Sequence, residues 1–398
     1  MTFDSELELF VEQMRPELSA IFHDLHQRPE LAFAEELTSA LVAERLRSWG
    51  IETHVGLART GVVGVVGNGD GPAIGLRADM DALPIAEPLD RKPRSLHEGV
   101  MHACGHDGHT TMLLGAARWF AELPPSTGRV YFVFQPAEEN EGGGRALVEE
   151  GLFETFPMDV IFGLHNLPGI EAGSFVTRTG AMLAAFDTFE LVVTSTGGHG
   201  SAPHDGRGDP IVAAAALVSA LQSIVSRALD PHDPAVLSVC ELHGGDTWNV
   251  IPSRVELRGS VRRFSEDVRV IVERRIREMA KGIAQAFDVD VDVVYSVRYP
   301  TTVNQPLATK IALEAASATV GRDRVDADFG PLMGSEDFSF LLQVCDGAFM
   351  GLGIGHDSGA LHTPEYLFNE EVLSTGVSYW VRVARLAIER LHKETRAA

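Results

Sequence analysis

Within Met101–Thr110, MHACGHDGHT, three histidines, a cysteine and an aspartate share ten residues. Thiol, imidazole and carboxylate so close together suit a borderline divalent metal, because Zn²⁺, Mn²⁺, Co²⁺ and Ni²⁺ accept all three donor types. Further donors follow apolar runs of strand type. Asp79 and Asp81 close AIGLRADMDALP, Glu138 and Glu139 follow VYFVFQPAEEN, His165 ends VIFGLH, and His362 comes a loop after GAFMGLGIG. In open α/β sheets ligands bind beyond the carboxyl ends of strands, so these positions can converge with Cys104 and His106 at one sheet edge. Each also has a plainer reading: His165 as a hydrogen-bonded loop residue, the glutamate pair as solvated surface, Asp79 and Asp81 as turn formers before Pro84. GHDGH alone reads as a helix start capped by Asp107. Joint occurrence at several strand ends favours the metal, since the plain readings must each hold independently.

The elements that position these residues alternate between helical and strand patterns. ELELFVEQMRPELSAIFHDLHQ and EELTSALVAERLRSWG have apolar residues at helical spacing, the second ending at Gly50 as a C-cap. GVVGVVG, AIGLRAD, RVYFVFQ and DVIFGLHN read as buried strands between helices. From 186 to 297 the order becomes strand, helix, strand, strand, helix, strand, a βαββαβ unit of ferredoxin-like type. The α/β pattern then returns. The expected fold is therefore α/β with two domains: a discontinuous catalytic domain, 1–185 and 298–398, and an inserted ferredoxin-like domain, 186–297.

Size and charge agree with that division. At 398 residues the chain exceeds what one core usually holds. The 56 acidic residues against 33 basic ones argue against nucleic acid or an anionic membrane as partner. No apolar run reaches bilayer-spanning length, and the acidic start is unlike a signal peptide, which points to a cytoplasmic protein. Cys104, Cys240 and Cys345 form no C-x-x-C pair, against a disulfide framework. Cys240 and Cys345 sit in apolar runs and are expected in the core, whereas glycine and histidines flank Cys104.

The chain resembles the two-metal superfamily of aminoacylases and glutamate carboxypeptidases, in the amidohydrolase branch that holds hippurate hydrolases, N-acyl-amino-acid amidohydrolases and auxin-conjugate hydrolases. LHQRPELAFAE, LRADMDALPI, MHACGHDGHTTMLLGAA, FVFQPAEEN, FGLHNLP, GGHGSAPH, NVIPSRVELRGSVRRF, MGSEDFSF and LHTPEY carry the resemblance, in the family's order over nearly the whole chain. It implies a zinc-peptidase-like catalytic domain with two divalent ions, zinc, manganese, cobalt or nickel. Cys104 would be the bridging thiolate, with His106, Glu139, His165 and His362 as the other ligands. Asp79 would steady a metal-bound side chain, while His102, Asp107 and His109 orient the loop or cap the helix. The resemblance makes Glu138 the general base beside the ligand Glu139, in keeping with adjacent carboxylates seldom both facing the metals.

The resemblance also places His199 across a homodimer, in the partner's active site, as oxyanion stabiliser. Asn249 and Arg262 would bind the substrate, Arg262 through its carboxylate. Gly200 and Ser201 stand where many relatives carry alanine, and HTPEY replaces a commoner HSPxF; neither change touches a proposed ligand. The expected activity is hydrolysis of an N-acyl amino acid to a carboxylic acid and a free amino acid. The alternatives are a dipeptidase or carboxypeptidase, and a non-catalytic metal-dependent binding module.

Overall fold

The computed structural model describes residues 2–397 except Asn68 and Asn140. It divides into two compact units: Met1–Met182, Val303–Gly330 and Asp337–Ala398 form the first, Leu183–Thr302 and Pro331–Glu336 the second. The division read from sequence falls at 186 and 297 and leaves out Pro331–Glu336, a short segment that no periodicity marks.

The first unit is built on an eight-stranded mixed sheet in the order Glu52–Leu57, Gly61–Gly67, Arg129–Gln135, Ala73–Asp79, Val160–Pro168, Gly347–Gly355, Phe175–Val176, Val325–Asp326. Four central strands are parallel: Ala73–Asp79 runs with Arg129–Gln135 and Val160–Pro168, and the latter with Gly347–Gly355. They are buried almost end to end, as parallel strands covered on both faces must be. Helices Phe3–Gln27, His106–Glu122 and Leu373–Ala397 share one core with the sheet. In the first of these Leu7, Val11, Met14, Leu18, Ile21 and Leu25 repeat at three- and four-residue spacing and are buried. Each such side chain contributes about 1.5–3 kcal/mol. The helix Glu36–Ser48 stops before Gly50, whose φ of 76° is open to glycine without strain.

The second unit has a four-stranded antiparallel sheet in the order Ala235–His243, Arg254–Arg263, Ala185–Thr194, Asp290–Tyr299. Helices Pro210–Ser223 and Glu266–Phe287 pack on it through a core of their own. This is the strand order of a βαββαβ fold. Segment Pro210–Ala228, 19 residues long, is the exception to the sequence reading on bilayer length, having mean hydropathy 1.6 over its most apolar 18 residues. Its Ala213, Ala214, Leu217, Leu221 and Ile224 are nonetheless fully buried in the unit's core. Of the two cysteines expected in the core, only Cys345 is buried, and Cys240 is exposed.

Candidate metal centre

The four parallel strands deliver their polar residues to one edge of the first unit. Asp79 ends its strand, and Glu138 and Glu139 follow Arg129–Gln135 by a short turn. His165 does not follow its strand, as the sequence suggested. It lies within Val160–Pro168, opposite Gly351 of the next strand, because pairing continues past it. His106 is the first residue of the helix His106–Glu122, so a helix start presents it to the same place.

The N-cap of that helix is Gly105 rather than Asp107. Gly105 has φ 88°, and a Cβ there would stand 2.3 Å from Tyr366 Oη and 2.5 Å from Asn166 Nδ2. Only glycine fits the turn between Cys104 and His106. Asp107 sits in the first helical turn, where its Oδ1 accepts the N–H of Gly108 at 2.8 Å.

Cys104, Glu139 and His362 offer ligand atoms within 4.8 Å of one another, and His106 does so with Glu138 and Glu139. His165 Nε2 lies 3.5 Å from Cys104 Sγ. His165 Nδ1 is 2.7 Å from the carbonyl oxygen of Asn166, which can only accept, so Nδ1 carries the proton and Nε2 keeps its lone pair for a ligand. His362, at φ 62°, is tied by its N–H to the carbonyl of Ala103, and its Nε2 is 3.0 Å from Glu139 Oε1. The five expected ligands are thus brought together, with Glu138 beside them.

The donors fit a divalent cation. Both ring nitrogens of His106 and Oε1 of Glu139 are buried without a hydrogen-bond partner, an arrangement costly to leave uncompensated. Burial, then the charges of Glu139, Glu138 and Asp79, hold the Cys104 thiol well above its usual pKa. Burial opposes a charge on His106, but Asp79, Asp81 and Glu139 outweigh it and push the ring up to about 10. The excess negative charge that would hold a proton on this ring would equally hold a metal ion.

Asp79 and Asp81 divide the supporting work. Asp79 is fully buried; burial works against its charge, but His106, His109 and Arg77 hold it well below the usual carboxylate range. Its Oδ1 accepts from His109 Nδ1 at 2.6 Å and its Oδ2 from Arg77 at 2.8 Å, with His106 Nε2 at 3.8 Å. His109 stands within the donor cluster, yet its other nitrogen accepts the N–H of Asn166 at 3.0 Å, so neither nitrogen is left for a metal. The sequence places Asp81 among the strand-end donors, and the resemblance gives it no role of its own. Its Oδ1 and Oδ2 accept the N–H groups of Glu138 and Glu139 at 3.0 and 2.9 Å, and Oδ1 lies 3.3 Å from His106 Nδ1. Its place two residues after Asp79, beyond the same strand, was the available signal.

The remaining expected residues lie on the second unit. His199 is exposed on the two-residue strand Gly198–His199, paired with Val250–Ile251, and its Nδ1 accepts the N–H of Ser201 at 3.1 Å. Asn249 is its neighbour, its carbonyl accepting the N–H of Gly200 at 2.8 Å. Strand alternation puts Arg262 and Arg263 on opposite faces. Arg263 is buried in a paired contact with Asp187, whereas half-buried Arg262 lies 4.1 Å over the Phe186 ring and donates to Ser335 at 2.8 Å.

Comparison with known proteins agrees with this geometry. Residues 75–386 match the model of Peptidase family M20/M25/M40. The chain is 42% identical over 373 residues to the hippurate hydrolase of Campylobacter jejuni, covering 93% of this chain and 96% of that protein. It is 37% identical to an N-acetyl-L-cysteine deacetylase of Bacillus subtilis, over 90% of this chain and 85% of the relative. Among solved structures, a Bacillus subtilis protein described as a dinuclear metal binding peptidase superposes with TM-score 0.82 at 32% identity, covering 95% of this chain and 99% of that one. The chain belongs to Peptidase family M20/M25/M40, in its aminoacylase and amidohydrolase branch. It is a metal-dependent hydrolase of amide bonds.

Proposed function

We propose that the protein hydrolyses N-acyl amino acids to a carboxylic acid and a free amino acid. The cluster of Cys104, His106, Glu139 and His165, closed on its open side by the exposed His362 and with Glu138 against it, carries this reading. Hippurate and N-acetylcysteine, named in two relatives, are both amino acids acylated on nitrogen. The five residues would hold two divalent ions, which when bound polarise the amide carbonyl and lower the pKa of a water from about 16 toward about 7. Thiolate, imidazole and carboxylate suit zinc or manganese, and cobalt or nickel as well.

Glu138 takes the proton of the attacking water and returns it to the departing amine nitrogen. Asp79 orients the ligand helix through His109. Arg262 pairs with the substrate carboxylate in a charge-assisted bond, and Asn249 binds beside it. His199 donates to the oxyanion from a partner subunit in a homodimer.

The test is release of free amine from a panel of N-acetyl, N-benzoyl and indole-acyl amino acids, their carboxamides, and dipeptides. Hydrolysis of N-acylated substrates over dipeptides is expected. A requirement for a free α-amine would make the protein a dipeptidase, and no turnover by metal-loaded protein would make it a binding module. Arg262→Ala is expected to raise KM for free carboxylates and leave the carboxamides unchanged; equal loss for both would remove the carboxylate role.

His199 is tested by complementation. When Glu138→Ala and His199→Ala subunits are dissociated together and allowed to reassociate, about half the dimers are mixed, and each has one intact site if His199 acts in trans. Activity is then expected to recover to about a quarter of refolded wild type. No recovery, with subunit exchange confirmed by differential tags, would refute the trans assignment.

A further inference from the structure

Glu35 ends the stretch PELAFAE and occupies the N-cap of the helix Glu36–Ser48, where a short polar side chain ordinarily accepts the helix's first N–H groups. It makes no such bond. The fully buried side chain points elsewhere: Oε1 accepts the N–H of Phe33 at 3.0 Å and of Ala137 at 2.8 Å, and Oε2 accepts the Thr60 hydroxyl at 2.6 Å. Phe33 and Ala137 hold φ of 60° and 55°, a left-handed conformation that a side chain makes costly. Their N–H groups meet on a single carboxylate oxygen.

Ala137 directly precedes Glu138 and Glu139, whose own N–H groups go to Asp81. Three consecutive N–H groups of this turn are therefore taken by buried carboxylates from two distant parts of the chain. We propose that Glu35 is a positioning residue for the reaction: its Oε1 holds Ala137 left-handed and so aims the Glu138 carboxylate. The proposal rests on Glu138 being the general base. A base on an unrestrained turn would spread over many orientations, and a misplacement of about 1 Å can cost about 100-fold in rate.

The acceptor's position carries the effect, not its charge. Burial, foremost, raises the pKa of Glu35, so the surroundings do not favour a charge there. Glutamine places a carbonyl oxygen at the same reach, and its amide can donate to the Thr60 hydroxyl, which rotates to accept. Aspartate keeps the charge but withdraws the acceptor by one methylene.

Metal-loaded Glu35→Gln, Glu35→Asp and Thr60→Val would be compared with wild type for kcat and KM on N-benzoylglycine or N-acetylcysteine, for bound metal per chain and for thermal midpoint. Glu35→Gln is expected to keep kcat within about threefold, and Glu35→Asp to lower it about 10- to 100-fold with KM and bound metal nearly unchanged. Thr60→Val, which frees Oε2, is expected to lower kcat severalfold at constant KM. The proposal is overturned if Glu35→Gln falls as far as Glu35→Asp, or if lost activity merely tracks lost metal or lost folded protein. Should Glu35→Asp not fold, an unchanged kcat in Thr60→Val overturns it. Glu138→Ala separates the two levels: full activity there removes the base assignment itself, while an inactive Glu138→Ala beside wild-type Glu35→Asp and Thr60→Val removes only the positioning role.

Discussion

Glu138→Ala is expected to lower kcat about 10²- to 10⁴-fold, the range for loss of a general base, with metal content near wild type. The two glutamates are adjacent in sequence but differently placed. Glu139 stands with Cys104 and His362, its Oε1 buried without a hydrogen-bond partner and 3.0 Å from His362 Nε2. Glu138 Oε1 accepts the N–H of Asp337 at 3.4 Å, and Glu138 stands outside the group formed by Cys104, Glu139 and His362. Removing it takes away a proton acceptor and leaves all five expected ligands. Cys104→Ser is the contrasting change, since a neutral hydroxyl bridges two cations far less well than a thiolate, and bound metal should fall with activity. Kinetics and elemental analysis on the same preparations decide the matter. Loss of metal from Glu138→Ala would reverse the roles of the pair.

The candidate ligands were legible in the sequence because their chemistry is uncommon and their places are regular. Cys104 and His106 stand out by type, and Glu139 and His362 by falling after strand-like runs, as does Asp79 beside them. The residues that hold them were not legible, since their roles depend on partners far away in the chain. Glu35 and Ala137 are 102 residues apart, and Arg77 and Asp337, which form a fully buried ion pair, 260 apart. Nothing local marks Glu35 as anything but the first residue of a helical run. His109 shows the opposite difficulty: its spacing of three from His106 suits a second ligand on the same helix face, and only the bonds to Asp79 and Asn166 show that both its nitrogens are engaged. Arg262 and Arg263 are alike in sequence and are told apart by strand alternation, which gives one Asp187 and leaves the other over Phe186.

His26→Leu is expected to destabilise the first unit by about 3–5 kcal/mol, the usual cost of leaving partners of a buried ion pair uncompensated. His26 lies in the last turn of the helix Phe3–Gln27, with Nδ1 2.7 Å from Asp107 Oδ2 and Nε2 2.9 Å from Glu87 Oε1. All three side chains are buried. Burial disfavours the charged ring, but hydrogen bonds and charges from both acids outweigh it and push His26 up to about 10. His102, the other titrating ring near this group, is held down at about 4, first by burial, and adds no charge at neutral pH. Because the folded pKa is raised, the stabilisation is complete below the unfolded value of 6.5 and is lost as pH rises through about 10. The gap in urea midpoint between wild type and His26→Leu should therefore be widest at pH 6 and shrink steadily toward pH 10. The same ion pair fixes Asp107 in the first turn of the helix that presents His106, so the variant should also bind metal more weakly at neutral pH. A midpoint gap that stays constant across this range would mean that the ring is neutral throughout and that the two acids are held by other groups.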